Sequence, residues 1–319
     1  MRFSVIIPLY NKAPYVAKAI QSVLAQTFTD YELIVVDDGS KDGSGEIADQ
    51  AIKGHDHCRL LKQNNTGVSM ARNNGVAASQ GDYLCFLDAD DWWEPTFLEA
   101  MAGLIESFPQ AGIYGCNYTI VNETRHKTRV AKVGVGEGFE QGCINYCKAY
   151  ASTMYMPLTS ISVAIPRRIF EEVHGFPKGI KLGEDFLLWI RIALKHQVVF
   201  LNEPLAYYNQ DVDVANRGTN HLYDPSEHML WNLSFLESEE QTNTDFKTLV
   251  DRLRTDGLMS YLLDRRYTEA ARKELAKVDW SRQPAKVRRL YRLPLWLLKL
   301  RRFFLRLGFQ IKKLLFRYK

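Results

Sequence analysis

The sequence predicts an α/β chain: a mostly parallel sheet flanked by helices, followed by an all-helical C-terminal extension. Three observations carry that prediction. Up to about residue 110, short apolar runs alternate with runs at helical spacing, as strands joined by helical crossovers do. Carboxylates gather where two of those runs end, at Asp37-Asp38 and at Asp88, Asp90 and Asp91. From Pro225 onward every periodic stretch is helical.

The first run, Phe3–Ile7, is β-branched and closed by Pro8, and Pro14–Gln26 follows with Val16, Ala19, Ile20 and Val23 at helical spacing. Tyr31–Val36 gives a second buried strand ending in Asp37-Asp38-Gly39-Ser40, and Ser44–Lys53 suits a helix. A weak strand at Arg59–Lys62 leads through the polar turn Gln63–Gly67 into a helix from Val68 to Ala78. Tyr83–Leu87 is apolar throughout, as a strand covered on both faces is. In the second half, Ala111–Val121 reads as a strand and Glu123–Gly142 as an irregular excursion. Ser160–Ile165 is strand-like, Phe186–Lys195 is helical, and Val198–Leu201 and Leu205–Tyr208 complete the sheet. Ser226–Ser238, Phe246–Leu263 and Thr268–Val278 are the helical pieces of the extension. The boundary between sheet and extension is expected between Asn209 and Pro225.

With 319 residues, 46% of them hydrophobic, the chain can bury a sizeable core, which excludes a disordered protein. Five scattered cysteines suggest reduced core residues rather than a disulfide framework, and no histidine falls at a zinc spacing. No signal peptide is expected ahead of the first strand run, and no apolar segment reaches a membrane span's length. The net charge of +4 hides an asymmetry: residues after Asp279 carry thirteen basic side chains and no acidic one, leaving the rest at −9.

Carboxylates at the end of a parallel strand lie where open α/β sheets place their ligand crevice. Asp88, Asp90 and Asp91 repel one another, and a hard divalent cation carrying a substrate diphosphate would compensate them; a helix cap near Pro95 is the alternative reading. Backbone groups of Pro8 and Tyr10 can border a base where the first strand opens. Asp38 can accept from a uracil N–H or a ribose hydroxyl, although an Asp-Gly turn needs no function. Arg72 starts close to the crevice and can pair with the crowded aspartates or with a nucleotide. Gly183-Glu184-Asp185 opens a helix, so its acids either cap it or do chemistry. Asn209–His221 has the composition of a loop that closes over substrates, and Arg217 and His221 are its candidates for meeting a diphosphate.

In combination, SVIIPLYNKAPYVAKAIQSVLAQTF, YELIVVDDGSKDGS, NTGVSMARNNG, GDYLCFLDADD and GED resemble, in order and spacing, a family 2 glycosyltransferase of the GT-A (Rossmann-like) fold. The resemblance covers residues 1 to about 210. It implies a GT-A catalytic domain over 1–215, with a nucleotide-sugar half to about 110 and an acceptor half beyond. It further implies Asp38 as base-binding acid, Arg72 and Asn65 near the nucleotide, Asp88 towards the ribose and Asp90 as ligand of Mn²⁺ or Mg²⁺. Asp91 supports or caps, or with Glu184 touches diphosphate or acceptor. Asp185 is the expected base, since inverting transfer needs one carboxylate to take the acceptor proton. The processive members' Q-x-x-R-W signature is missing, so one sugar per encounter is expected.

Region 216–293 is expected to be helical, and 294–319 to be a basic amphipathic helix. Lys299, Arg302, Arg306, Lys313 and Arg317 form one stripe, and Trp296, Leu300, Phe303, Phe304, Leu307, Ile311, Leu314 and Tyr318 another. An apolar face bordered by cations suits anionic lipid better than nucleic acid, and packing on the chain's own body or on a second copy is the other reading. The whole pattern leads to an expected metal-dependent, inverting transferase, peripheral on the inner face of a bacterial cell membrane. It would take sugar from a nucleoside diphosphate sugar, a UDP-hexose above others, to a saccharide or lipid-linked saccharide in surface polysaccharide or lipopolysaccharide assembly. Transfer to a polyprenyl phosphate is the rival, and a silent, membrane- or partner-binding relative the alternative of another class.

Overall fold

The computed structural model describes residues 2–211 and 221–304, with nothing stated of the side chain of residue 123. The chain divides into two units, Met1–Asn232 and Leu233–Lys319. In the first, β1 (Phe3–Leu9), β2 (Tyr31–Asp37), β3 (Cys58–Lys62) and β4 (Tyr83–Phe86) run parallel in the order β3-β2-β1-β4. Their crossovers are α1 (Val16–Leu24), α2 (Ser44–Ile52) and α3 (Val68–Ala77). Every residue of β1 and β2 is buried, which is why they read as unbroken apolar runs. Pairing of β1 with β4 stops at Ile6↔Phe86, two residues before Pro8, so the missing proline N–H falls where one edge of the strand opens. Gly75 lets α3 lie close on the sheet, because a Cβ there would stand 2.5 Å from Ile6 Cγ2.

The second half supplies β5 (Trp92–Trp93), α4 (Phe97–Ser107), β6 (Ile113–Asn122), β7 (Lys127–Val130), β8 (Gln141–Ile144), α5 (Tyr146–Thr153), β9 (Val163–Pro166), α6 (Arg167–Glu172), α7 (Glu184–Ala193) and β10 (Val198–Asn209). The sheet continues from β4 as β9-β6-β10-β5, with β9 antiparallel to both neighbours and β10 parallel to β6. The stretch expected to be irregular instead carries β7 on β6 and β8 on β10. These strands are largely exposed and polar, so no apolar alternation announces them. The two short strands expected at 198–208 are one, with register shifts on either side of Pro204 that absorb the proline.

In the second unit the expected helix Phe246–Leu263 is broken into α9 (Thr244–Gly257) and α10 (Met259–Leu263), after α8 (Glu237–Thr242) and before α11 (Thr268–Leu275) and α12 (Ala285–Tyr291). Residues 226–238, expected as one helix, form 3₁₀ turns before α8 begins. Arg254, fully buried, holds this unit together through two bonds to Glu240. Residues 295–304 are helical; Leu298 is buried while Trp296, Leu300, Phe303 and Phe304 are exposed. The remainder of the expected amphipathic helix lies outside the described residues.

Candidate functional site

The carboxyl ends of β1, β2 and β4 meet at one edge of the sheet. The loop after β1 is pinned to the loop after β2: Asn11 N donates to Ser40 Oγ at 3.1 Å, Lys12 N to Ser44 Oγ at 2.8 Å, and Ala13 N to Asp42 Oδ2 at 3.0 Å. Asn11 takes a left-handed φ of 51°, which asparagine tolerates. Pro8 is buried and Tyr10 exposed. Asp38 is buried, and its carboxylate is already occupied: Oδ1 accepts from Gln63 Nε2 at 2.7 Å and Thr66 N at 2.8 Å, and Oδ2 from Gly67 N at 2.9 Å. Asp38 therefore shapes the 63–67 turn, which leaves Asn65 exposed beside it. A carboxylate oxygen accepts two bonds, so Oδ2 retains capacity for one more.

The three crowded aspartates are compensated in three different ways. Asp88 receives Arg72 Nη2 at 2.7 Å; Asp90 receives Lys12 Nζ at 2.6 Å; Asp91 receives the backbone N–H of Asn209 at 2.7 Å. Asp91, expected either to support or cap or to touch diphosphate or acceptor, is buried and fastens the end of β10 to the turn after β4. Burial, with Asp90 and Asp88 close by, holds its carboxyl well above the usual range. Burial also raises Asp90, against the pull of Lys12. β5 braces the same turn, Trp93 stacking on Phe97 at 4.0 Å and donating to Ile161 O at 2.6 Å.

Arg72 joins the two halves of the site. Its side chain is 3% exposed, and besides Asp88 it gives Nη1 to Glu184 at 3.0 Å. Burial alone would lower its pKa, but Asp88 and Glu184 raise it above the ordinary arginine value. Glu184 and Asp185 open α7 behind Gly183, whose φ of 81° and closeness to Met229 admit no side chain: a Cβ would lie 2.3 Å from Met229 Sδ. Burial and the neighbouring Asp185 push Glu184 up to about 7 despite Arg72. Asp185 accepts from Phe186 N at 2.7 Å, and burial raises it above the usual range, against Arg72. Arg217 lies outside the described residues. His221 is exposed, its ring 6.1 Å from that of Tyr223, and Tyr223 lies within electrostatic range of Glu184.

Among the described residues no three His, Cys, Asp or Glu side chains converge as a ready-made metal cage. Asp88 and Asp90, 33% and 18% exposed, nevertheless offer hard oxygen donors, which fits Mg²⁺ or Mn²⁺ held by one or two carboxylates with the substrate's phosphates completing the shell. Sequence reasoning missed Lys12, Gln63, Thr66 and Met229. Nothing local marks any of them, since each acquires its role from a partner at least 25 residues away.

The family model for glycosyl transferase family 2 matches residues 4–165. GlyA of Streptococcus pneumoniae is 31% identical over 213 residues, 65% of this chain and 30% of GlyA. An uncharacterised glycosyltransferase of Rickettsia felis is 30% identical over 232 residues, 71% of this chain and 35% of that protein. The chain thus spans about a third of the length of these two relatives. Against the uncharacterised glycosyltransferase alr2836 of Nostoc it is 30% identical over 249 residues, 77% of this chain and 76% of the relative. Among solved structures, Staphylococcus aureus TarS 1–349 in complex with UDP-GlcNAc superposes with a TM-score of 0.61 at 17% identity, over 92% of both chains. The mannosyltransferase PcManGT of Pyrobaculum calidifontis, in complex with GDP-Man and Mn²⁺, superposes with a TM-score of 0.50 at 16% identity, over 88% of both. These likenesses establish a shared fold.

Proposed function

The chain belongs to glycosyl transferase family 2, and on that premise we propose that it is a metal-dependent, inverting transferase moving a hexose from UDP to a saccharide or lipid-linked saccharide. The observation that carries the reading is Arg72, which ties Asp88 on the donor side to Glu184 beside the base. Asp185 takes the proton of the acceptor hydroxyl as its oxygen bonds to the anomeric carbon. The bond from that carbon to the phosphate oxygen breaks, and its electron pair leaves on the nucleoside diphosphate. One displacement inverts the carbon, and no covalent enzyme intermediate is needed. A divalent cation at Asp90 supplies charge stabilisation for the departing diphosphate. Asp38, with its remaining acceptor position, and the 63–67 turn border the base together with Pro8 and Tyr10. Support for the UDP class comes from the fold neighbour TarS, which was solved with UDP-GlcNAc.

The C-terminal helix supports a peripheral membrane location in surface polysaccharide assembly. Trp296, Leu300, Phe303 and Phe304 follow one another at helical spacing on an exposed face, with Lys299, Arg301 and Arg302 beside them. Among the described residues no helix is long and apolar enough to cross a membrane. The test is calorimetric titration of UDP, GDP and dTDP, with and without Mn²⁺, into wild type and Asp90→Ala. Mn²⁺-dependent UDP binding that disappears in the variant supports the reading. A preference for GDP overturns the donor, and metal-independent binding overturns the role of Asp90.

A further inference from the structure

Lys12 is the side chain of this site for which neither donor nor acceptor chemistry has yet supplied a use. Its ammonium sits 2.6 Å from Asp90 Oδ2, on the very carboxylate read as the metal ligand. The loop that carries it is fixed by the hydrogen bonds of residues 11–13 to the 40–44 loop, and Lys12 O accepts from Tyr15 N and Val16 N at the start of α1. The backbone is therefore held, and the freedom left to Lys12 is that of its four-carbon stem.

A divalent cation and an ammonium compete for one carboxylate. If the cation enters alone, Lys12 loses its partner and remains beside the newcomer, so three positive charges face the single negative charge of Asp90. If the cation enters with a sugar nucleotide, the diphosphate brings two negative charges, and three positive charges face three negative ones. The displaced ammonium then has phosphate oxygens to bind within its own reach, and lysine is well suited to phosphate as a point charge. We propose that Lys12 is the resident counter-ion of Asp90 and passes from that carboxylate to the donor's diphosphate, so that the cation and the nucleotide bind cooperatively and the nucleotide-free protein binds metal poorly. The inference rests on the reading of Asp90 as metal ligand. Cooperativity of this kind keeps the crevice from being occupied by metal without donor, and it assigns Lys12 a positioning role on the leaving-group side.

The experiment is a titration of Mn²⁺ followed by electron paramagnetic resonance of the free ion, on the full chain, with and without saturating UDP, for wild type, Lys12→Met, Lys12→Arg and Asp90→Ala. Lys12→Met is expected to bind Mn²⁺ alone about ten-fold more tightly than wild type and to lose most of the enhancement UDP gives, a coupling of ordinary allosteric size. Lys12→Arg keeps the charge and is expected to bind Mn²⁺ alone as weakly as wild type. Should Lys12→Met prove unfolded by circular dichroism, Lys12→Gln is read in its place. Mn²⁺ affinity and UDP enhancement unchanged by loss of the ammonium overturn the proposal. Mn²⁺·UDP binding that survives Asp90→Ala overturns instead the metal reading beneath it.

Discussion

Replacing Glu184 by Gln is expected to stabilise the protein above neutral pH and to change little in acid. The Glu184 side chain is 13% exposed, and burial together with Asp185 raises its carboxyl from 4.5 to about 7 even with Arg72 at 3.0 Å. The folded form then holds its proton more tightly than the unfolded chain. Its stabilising contribution is complete below pH 4.5 and lost as the pH rises through 7. At about 1.4 kcal/mol per pH unit, that loss amounts to roughly 3 kcal/mol. Glutamine is neutral throughout, and its amide oxygen still accepts from Arg72. The variant's advantage should grow from near zero in acid to about 3 kcal/mol at pH 8.5, a gain of roughly 5–10 °C in melting temperature for a unit of this size. Scanning calorimetry from pH 4.5 to 8.5 in chelator-containing buffer measures it. A melting difference independent of pH, or a loss at pH 8.5, would refute the reasoning.

Asp185→Asn should lower kcat by about 10²–10⁴ while leaving UDP affinity intact, measured by single-turnover transfer and calorimetry; unaltered turnover would point to an acceptor already ionised. Gly183→Ala should cost roughly 1–3 kcal/mol, because φ is 81° and the new Cβ meets Met229, and Met229→Ala in the same chain should restore part of it in urea unfolding. Substituting Trp296, Phe303 and Phe304 by Ser should abolish sedimentation with anionic liposomes without altering nucleotide binding. That substitution is preferable to deleting the helix, since Leu298 is buried.

Much of the nucleotide-side architecture was legible because β1, β2 and β4 are buried on both faces and so announce themselves as apolar runs, each closed by a polar loop. The outer strands β7 and β8 were not, being exposed and short. Pro204 misled the reading of β10, since a proline inside a run looks like an end until the register shifts around it are seen. The sequence leaves Asp91 open between a supporting and a contacting role, for spacing along a chain does not tell which of three neighbouring carboxylates turns inward.

The sequence by itself determined the family, the α/β order of its first half, and the residue types at the crevice, because these depend on local periodicity and on motifs a few residues long. Tertiary structure alone decided the pairing: Lys12 with Asp90, Arg72 with both Asp88 and Glu184, Asp38 with the 63–67 turn. Charges that meet across 16 to 112 residues do so because the fold delivers the segments that carry them to one edge of the sheet, and the energy of such a meeting depends on distance and burial, which sequence separation does not encode.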